Sequence, residues 1–355
     1  MKQLIYMVAF LLIMAGCDTK QDKKDETSNI KEVASSENQW TGITISSKGR
    51  MFVNFPRWSP DIEMSVAEIT EDGKIAPFPN EKWNSWNSGK KHPENYFVCV
   101  QSIVIDDNNN LWILDTGNPQ FKGVIPYAPK IVKVDINSGE VLDKVVFGFD
   151  VLKENSYLND LRINTETKHV YITDSNDGAI IIYDYNNGDV RRLLDDHYST
   201  EPELPLVIDG ESWKTGGGEM NFVASDGIAL DTDNKYLYYH ALTGLSLYRI
   251  ETKYLEDTSI NKYSMGKYVE FVARTGASDG LIAGTDDAIY HSNVEENAII
   301  RYNQDGTIDT IAQDQRIKWP DTFTFDKEGN LYFTTSQIHL ANPDQPYKIF
   351  KINMN

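Results

Sequence analysis

The sequence predicts an all-β, six-bladed β-propeller, and three observations lead there. A hairpin unit recurs at 40–58, 100–117, 158–175, 225–242, 278–294 and 319–336. The 355-residue length accommodates six blades of about 40 residues plus insertions, leaving no room for a second domain. The composition is rich in strand-forming aromatics, with 19 Tyr and 7 Trp, and lacks long Leu/Ala/Glu/Lys runs.

The clearest copy, SDGIALDTDNKYLYYHAL (225–242), shows the logic of the unit. Ser225-Asp226-Gly227 is a polar entry, Ile228 to Leu230 a short apolar strand, Asp231 to Lys235 a tight turn, and Tyr236 to Leu242 a second strand. Further strands are expected at Ser65 to Thr70, Lys130 to Ile136, Ala179 to Tyr185, Ser246 to Ile250, Ile299 to Tyr302 and Tyr347 to Ile352. Pairing of Trp40–Ile45 with the last blade would close the ring without a free edge.

Two long connections interrupt the blades. Residues 76–97 carry Pro77, Pro79, Trp83 and Trp86 and read as an ordered loop that packs its own aromatics. Residues 193–222 include Gly216-Gly217-Gly218, which reads as a mobile flap. It is not a phosphate loop, because no Lys-Ser/Thr follows it.

The N-terminus follows a different rule. A basic start and the apolar run Leu4 to Ala15 form a signal-peptide core, too short to span a bilayer. The run ends in Met14-Ala15-Gly16-Cys17, which resembles a bacterial lipobox with Cys17 as the lipidated residue. The expected organisation is therefore a signal peptide over 1–17, a flexible tether over 18–38 and a propeller over 39–355. Export, with lipid anchoring to the cell envelope as the sole membrane association, follows from it. The other cysteine, Cys99, lies among apolar residues and is expected to be buried and inert.

The net charge of −19 excludes nucleic acid as a partner, since phosphate recognition needs Lys/Arg patches. It suits solubility, or attraction of a cation or amine to an acidic mouth.

A propeller brings the residues before each inner strand to one end of its channel. Here these are Gln101, Asn159, Asp160, Asp226, Asp279 and Asp321. Second-strand ends would add Asp115, Asp174, His240 and Asn293. This set is the predicted site for a small-molecule ligand, with Asp226, Asp279 and His240 as candidate catalytic groups. Converging carboxylates repel, so water, protonation, a cation or backbone N–H groups must offset them. An all-oxygen set built on Asn159, Asp226 and Asp279 would suit Ca²⁺ or another hard divalent cation rather than zinc. The plainer alternative is that each Asp caps a turn.

LWILDTG (111–117), WPDTF (319–323), LYYHAL (237–242), SDGL (278–281), FPRW (55–58) and PFPNEKWNSW (77–86) are together similar to the major royal jelly protein/yellow family. The resemblance spans roughly 40–350 and implies a six-bladed propeller, usually secreted. It also implies either binding of biogenic amines at the channel mouth or dopachrome-conversion chemistry. With the lipobox, it suggests a bacterial relative. A more distant likeness is to gluconolactonase/regucalcin propellers, which imply a divalent metal held by Glu, Asn and Asp. Asn159 and Asp226 match that pattern, but Thr41-Gly42 stands where it has the Glu.

Overall fold

Six four-stranded antiparallel sheets are arranged around a channel in the computed structural model, which describes residues 29–340, 343 and 346–354. The inner strands are Ile43–Ile45, Val100–Ile105, Leu158–Asn164, Ser225–Leu230, Leu281–Ala283 and Pro320–Phe325, and each touches its two neighbours around the ring. Four blades run outward in chain order from their inner strands at 100, 158, 225 and 281. The first does the same over Ile43–Pro77. The fold predicted from the repeated hairpin is therefore the one observed.

The sixth blade is closed differently from the expectation. Its outermost strand is Ile30–Ser36, antiparallel to Tyr347–Ile352 with Ile30 opposite Ile352 and Ser36 opposite Tyr347. The sequence pattern places residues 30–36 in the tether. They form a strand because the last blade exposes an unpaired edge that IKEVASS can satisfy, burying Ile30 at 5% exposure against Phe350 and Ile352. The segment Trp40–Ile45 does not supply that strand. Ile43–Ile45 is the inner strand of the first blade, while Trp40 donates from Nε1 to Lys348 O at 3.3 Å across the seam. The predicted signal peptide, Cys17 and the tether up to residue 28 lie outside the described residues.

Removing residues 29–38 is expected to leave the last sheet with a bare edge and an uncovered apolar face. A lowered Tm and concentration-dependent association in light scattering should follow. An unchanged melting curve would count against this closure.

Apolar clusters lie between neighbouring blades. Trp112, Leu114, Leu161, Ile172 and Ile181 fill the space between blades two and three, and Ile180, Ile228, Tyr239 and Ile250 that between three and four. The two insertions are packed structures. Asn84 anchors 76–97, its Oδ1 accepting from Ser65 N (2.8 Å) and Val66 N (2.9 Å), and Trp83 lies 5.0 Å from Phe97. In the region 193–222, buried Leu206 and Ile208 lie on Trp319, with Trp213 at 4.8 Å from that indole, while the Gly216-Gly217-Gly218 stretch expected to form a flap is exposed. Sequence alone hid the partner of Leu206, Ile208 and Trp213.

Candidate functional site at the channel mouth

Each polar entry residue sits at an irregularity of the inner strand. Pairing shifts register between Val100 and Ser102, Leu158 and Leu161, Ser225 and Ile228, and Pro320 and Phe323. The residues caught in these bulges are Gln101, Asn159-Asp160, Asp226-Gly227 and Asp321-Thr322. A bulge re-aims side chains that would otherwise alternate across a sheet. Asp279-Gly280 stands just before the short inner strand of blade five.

The second strand braces the bulge. Hydroxyls of Thr173, Ser292 and Thr334 accept from the backbone N–H of Asp160 (3.0 Å), Asp279 (2.8 Å) and Thr322 (3.1 Å). Glycine after the acid has a packing reason. A Cβ on Gly227 would lie 1.9 Å from Asp279 O, and one on Gly280 would lie 1.7 Å from Asp321 O. The recurring Asp-Gly thus lets the next blade's backbone approach, which is how adjacent acids come close.

The result is a ring of four buried carboxylates, Asp160, Asp226, Asp279 and Asp321. Asp160 is held by Ser102 Oγ at 2.5 Å and by Arg162 Nη2 at 3.4 Å. Asp226 Oδ2 accepts from Asn159 Nδ2 at 2.6 Å, and its carboxyl interacts electrostatically with that of Asp279. Asp279 Oδ2 also accepts from Trp319 Nε1. The Thr322 and Ser336 hydroxyls only partly counter the burial of Asp321, whose Oδ2 makes no hydrogen bond.

Burial, then the neighbouring acids, pushes Asp226 and Asp321 well above the ordinary carboxylate range. Asp279 is pushed up by burial to about 7, with Trp319 restraining the rise. At neutral pH the cluster therefore carries less than its full negative charge, protonation relieving the repulsion among neighbouring buried acids.

A relay of hydrogen bonds leads from an aromatic wall into this ring. Trp58 Nε1 donates to Tyr157 OH (2.6 Å), Tyr157 OH donates to Gln101 Oε1 (2.9 Å), and Gln101 Nε2 donates to Asn159 Oδ1 (3.3 Å). Asn159 Nδ2 then donates to Asp226. Phe121 stacks on both Tyr157 (4.9 Å) and Trp58 (5.8 Å) and leaves 63% of its surface exposed. Sequence reasoning missed Trp58, Phe121 and Tyr157 as site residues. Trp58 lies in the FPRW motif and Tyr157 two residues before Asn159, but neither motif nor neighbour says that the rings meet.

Other predicted site residues fall elsewhere. Asp174 is fully buried and turned into its own blade, accepting from Tyr157 N (2.9 Å) and Arg192 Nη1 (2.7 Å). Its oxygens are thus engaged in joining blade and loop. Asp115 does the same in blade two with Lys130 at 2.7 Å. Asn293 ends the second strand of blade five, beside Gly276. His240 is fully buried opposite the Asp226-Gly227 bulge, donating from Nδ1 to Ala241 O at 2.6 Å. Burial lowers its pKa to about 4, favouring the neutral imidazole, and its buried Nε2 has no hydrogen-bond partner. Cys99 is buried, 3.9 Å from Tyr157 OH, with burial raising its pKa to about 12, in keeping with an inert thiol.

Asn159, Asp226 and Asp279 do not fit a divalent cation as arranged. Asn159 turns its amide nitrogen toward Asp226 while its oxygen accepts from Gln101, so no amide oxygen faces the carboxylates. Among the described residues, no group of three or more His, Cys, Asp or Glu side chains forms a metal-holding cluster.

Comparison with solved structures agrees with the architecture. The chain is similar to a gluconolactonase from Xanthomonas campestris (TM-score 0.56, 11% identity, 91% of this chain and 89% of that one). It is also similar to a streptogramin B lyase (TM-score 0.54, 15% identity, 92% and 97%). At these identities the likeness is one of fold. In sequence, it is 28% identical to "Yellow-related salivary protein M10" of Phlebotomus duboscqi over 66% of this chain and 61% of that protein. It is 27% identical to "Major royal jelly protein 5" of Apis mellifera over 61% of this chain and 35% of that protein, so both matches span less than two thirds of the relative. A longer match, to "Yellow-related salivary protein LJM11" of Lutzomyia longipalpis, is 26% identical over 87% and 82%. The family profile described as "Major royal jelly protein" matches residues 98–352, from the start of blade two through the last strand of the chain, and the protein therefore belongs to the major royal jelly protein family.

Proposed function

We propose that this protein is an exported, lipid-anchored propeller that binds a small cationic molecule with an aromatic or apolar body at the acidic mouth of its channel. One observation carries the reading: four buried carboxylates converge on the channel, and one of them, Asp321, keeps an unpartnered oxygen. An ammonium supplies the missing donor and offsets the repulsion. The Trp58–Phe121–Tyr157 stack provides a π-face beside it. Isothermal titration with amines such as phenethylamine and dopamine should give heat and one site per chain. Absence of heat from every amine would sink the reading.

The adjacency of Asp226 and Asp279 supports a second reading, that of an enzyme. Two neighbouring carboxyls, both raised by burial, can serve as an acid–base pair. A lactone or ester hydrolase of gluconolactonase type, or an isomerase of dopachrome-conversion type, would use them in those roles. Lactone and dopachrome assays at background rates would remove it. Calcium enters only if Asn159 turns its oxygen inward. A calcium-dependent rise in Tm would report that turn.

The anchor is tested separately. Radiolabelled palmitate should be incorporated into the full chain and lost in Cys17→Ser. Equal labelling of both would refute lipidation at Cys17.

A further inference from the structure

A second ligand site is built into blade one, away from the carboxylate ring. Arg57 follows the first blade's second strand and is 5% exposed. Its Nε donates to Val98 O at 3.1 Å, its Nη1 to Ile62 O, and its Cζ lies 5.3 Å from the Trp86 ring. Nη2 is buried and has no partner. Among the described residues no carboxylate forms an ion pair with this guanidinium. Buried Asp115 attracts this charge from a distance but is itself paired with Lys130, and a buried guanidinium with an unused N–H is costly and commonly marks where an anion completes the structure. Arg57 also lines an open cleft of about 580 Å³, within the size range of small-molecule sites.

The cleft is more selective than a simple anion hole. Trp86, half-buried, forms an aromatic wall, and Ser88 adds a hydroxyl. Asp61 and Glu63, both exposed, line the same cleft. Two acids repel a phosphate or any other polyanion but match an ammonium. One guanidinium edge matches a single carboxylate.

We infer that the blade-one cleft binds a zwitterion of the α-amino acid class, its carboxylate on Arg57, its ammonium toward Asp61 and Glu63, and its side chain against Trp86. The site does not depend on the channel reading. Its ligand needs a carboxylate, whereas the channel's needs only a cation.

The test is isothermal titration of the full chain with L-phenylalanine, phenethylamine and 3-phenylpropionate. L-Phenylalanine should bind one site. Removing either charged group should weaken that binding by about ten- to a hundredfold, as for loss of one charge-assisted hydrogen bond. Arg57→Met should abolish it. Trp86→Ala, at a half-exposed position, serves if the first variant does not fold, and should weaken binding about tenfold. Asp279→Asn should leave phenylalanine binding intact while altering that of phenethylamine at the channel. The proposal is overturned if L-phenylalanine gives no heat, or if its binding survives both cleft variants. It is equally overturned if Asp279→Asn, not Trp86→Ala, removes it.

Discussion

Asp279→Asn is expected to make the propeller more stable at pH 8 and, at the same time, to weaken amine binding at the channel. Burial holds Asp279 at about 7 in the folded chain, against an ordinary value of 3.8. Its folded pKa is raised, so the folded state binds the proton more tightly than the unfolded state does. The resulting contribution to stability is complete below pH 3.8, falls as pH rises, and is gone above pH 7. Integrated over that window the loss is at most about 4 kcal/mol. Asparagine cannot ionise, yet its side-chain oxygen can still accept from Trp319 Nε1, the bond Asp279 now receives. The variant should therefore lack this pH dependence and unfold later than the native chain in urea at pH 8, while matching it more closely at pH 4. Urea titrations at the two pH values decide the matter. If the native chain lost no stability, relative to the variant, between pH 4 and 8, Asp279 would not be held protonated. Amine affinity should fall about ten- to a hundredfold, because a charged acceptor has been removed. Stability gained and binding lost by one substitution is the pattern of a site assembled against the preference of the fold.

Lys130→Met should be the most damaging single change outside the site. Lys130 and Asp115 both have fully buried side chains, with Nζ to Oδ2 at 2.7 Å. Nζ also donates to Ala128 O at 2.8 Å, while Asp115 accepts from the backbone N–H of Val98 (2.6 Å), Cys99 (2.8 Å) and Gly117 (3.0 Å). The pair thus ties the entry of an inner strand, the end of the second and the start of the third. Removing the cation leaves a buried carboxylate without its counterion, which costs about 3–5 kcal/mol. Denaturant unfolding measures the loss. Arg192→Met removes the equivalent cation in blade three, where Arg192 keeps 10% side-chain exposure and Asp174 none. Its cost should be smaller, since water can reach the vacated space. A loss below about 1 kcal/mol for Lys130→Met would show that the three backbone N–H groups suffice to hold Asp115.

The fold was legible because its signals are local. Each hairpin states its own turn, its own alternation and its own Asp-Gly entry, and repetition makes six weak statements into one strong one. The entry residues Gln101, Asn159, Asp160, Asp226, Asp279 and Asp321 were legible for the same reason: sixfold arrangement carries equivalent positions to one place. Asp174 was misplaced because sequence gives a residue's position in a strand but not the direction of its side chain at a strand end. There the competing partner was Arg192, 18 residues away. The strand at Ile30–Ser36 was missed because its pairing with Tyr347–Ile352 spans nearly the whole chain, and a short polar strand has no local signature.

By itself the sequence determined the propeller, its six repeats and the ring of acids and amides at their entrances, since all three are encoded within about 20 residues of themselves. Only the tertiary structure decided which acids neighbour one another, which are consumed by Arg192 and Lys130, which aromatics stand beside the channel, and that Arg57 is left with an unused donor. Those outcomes depend on distance and burial between blades, and desolvation acts on a side chain only once its neighbours have closed around it.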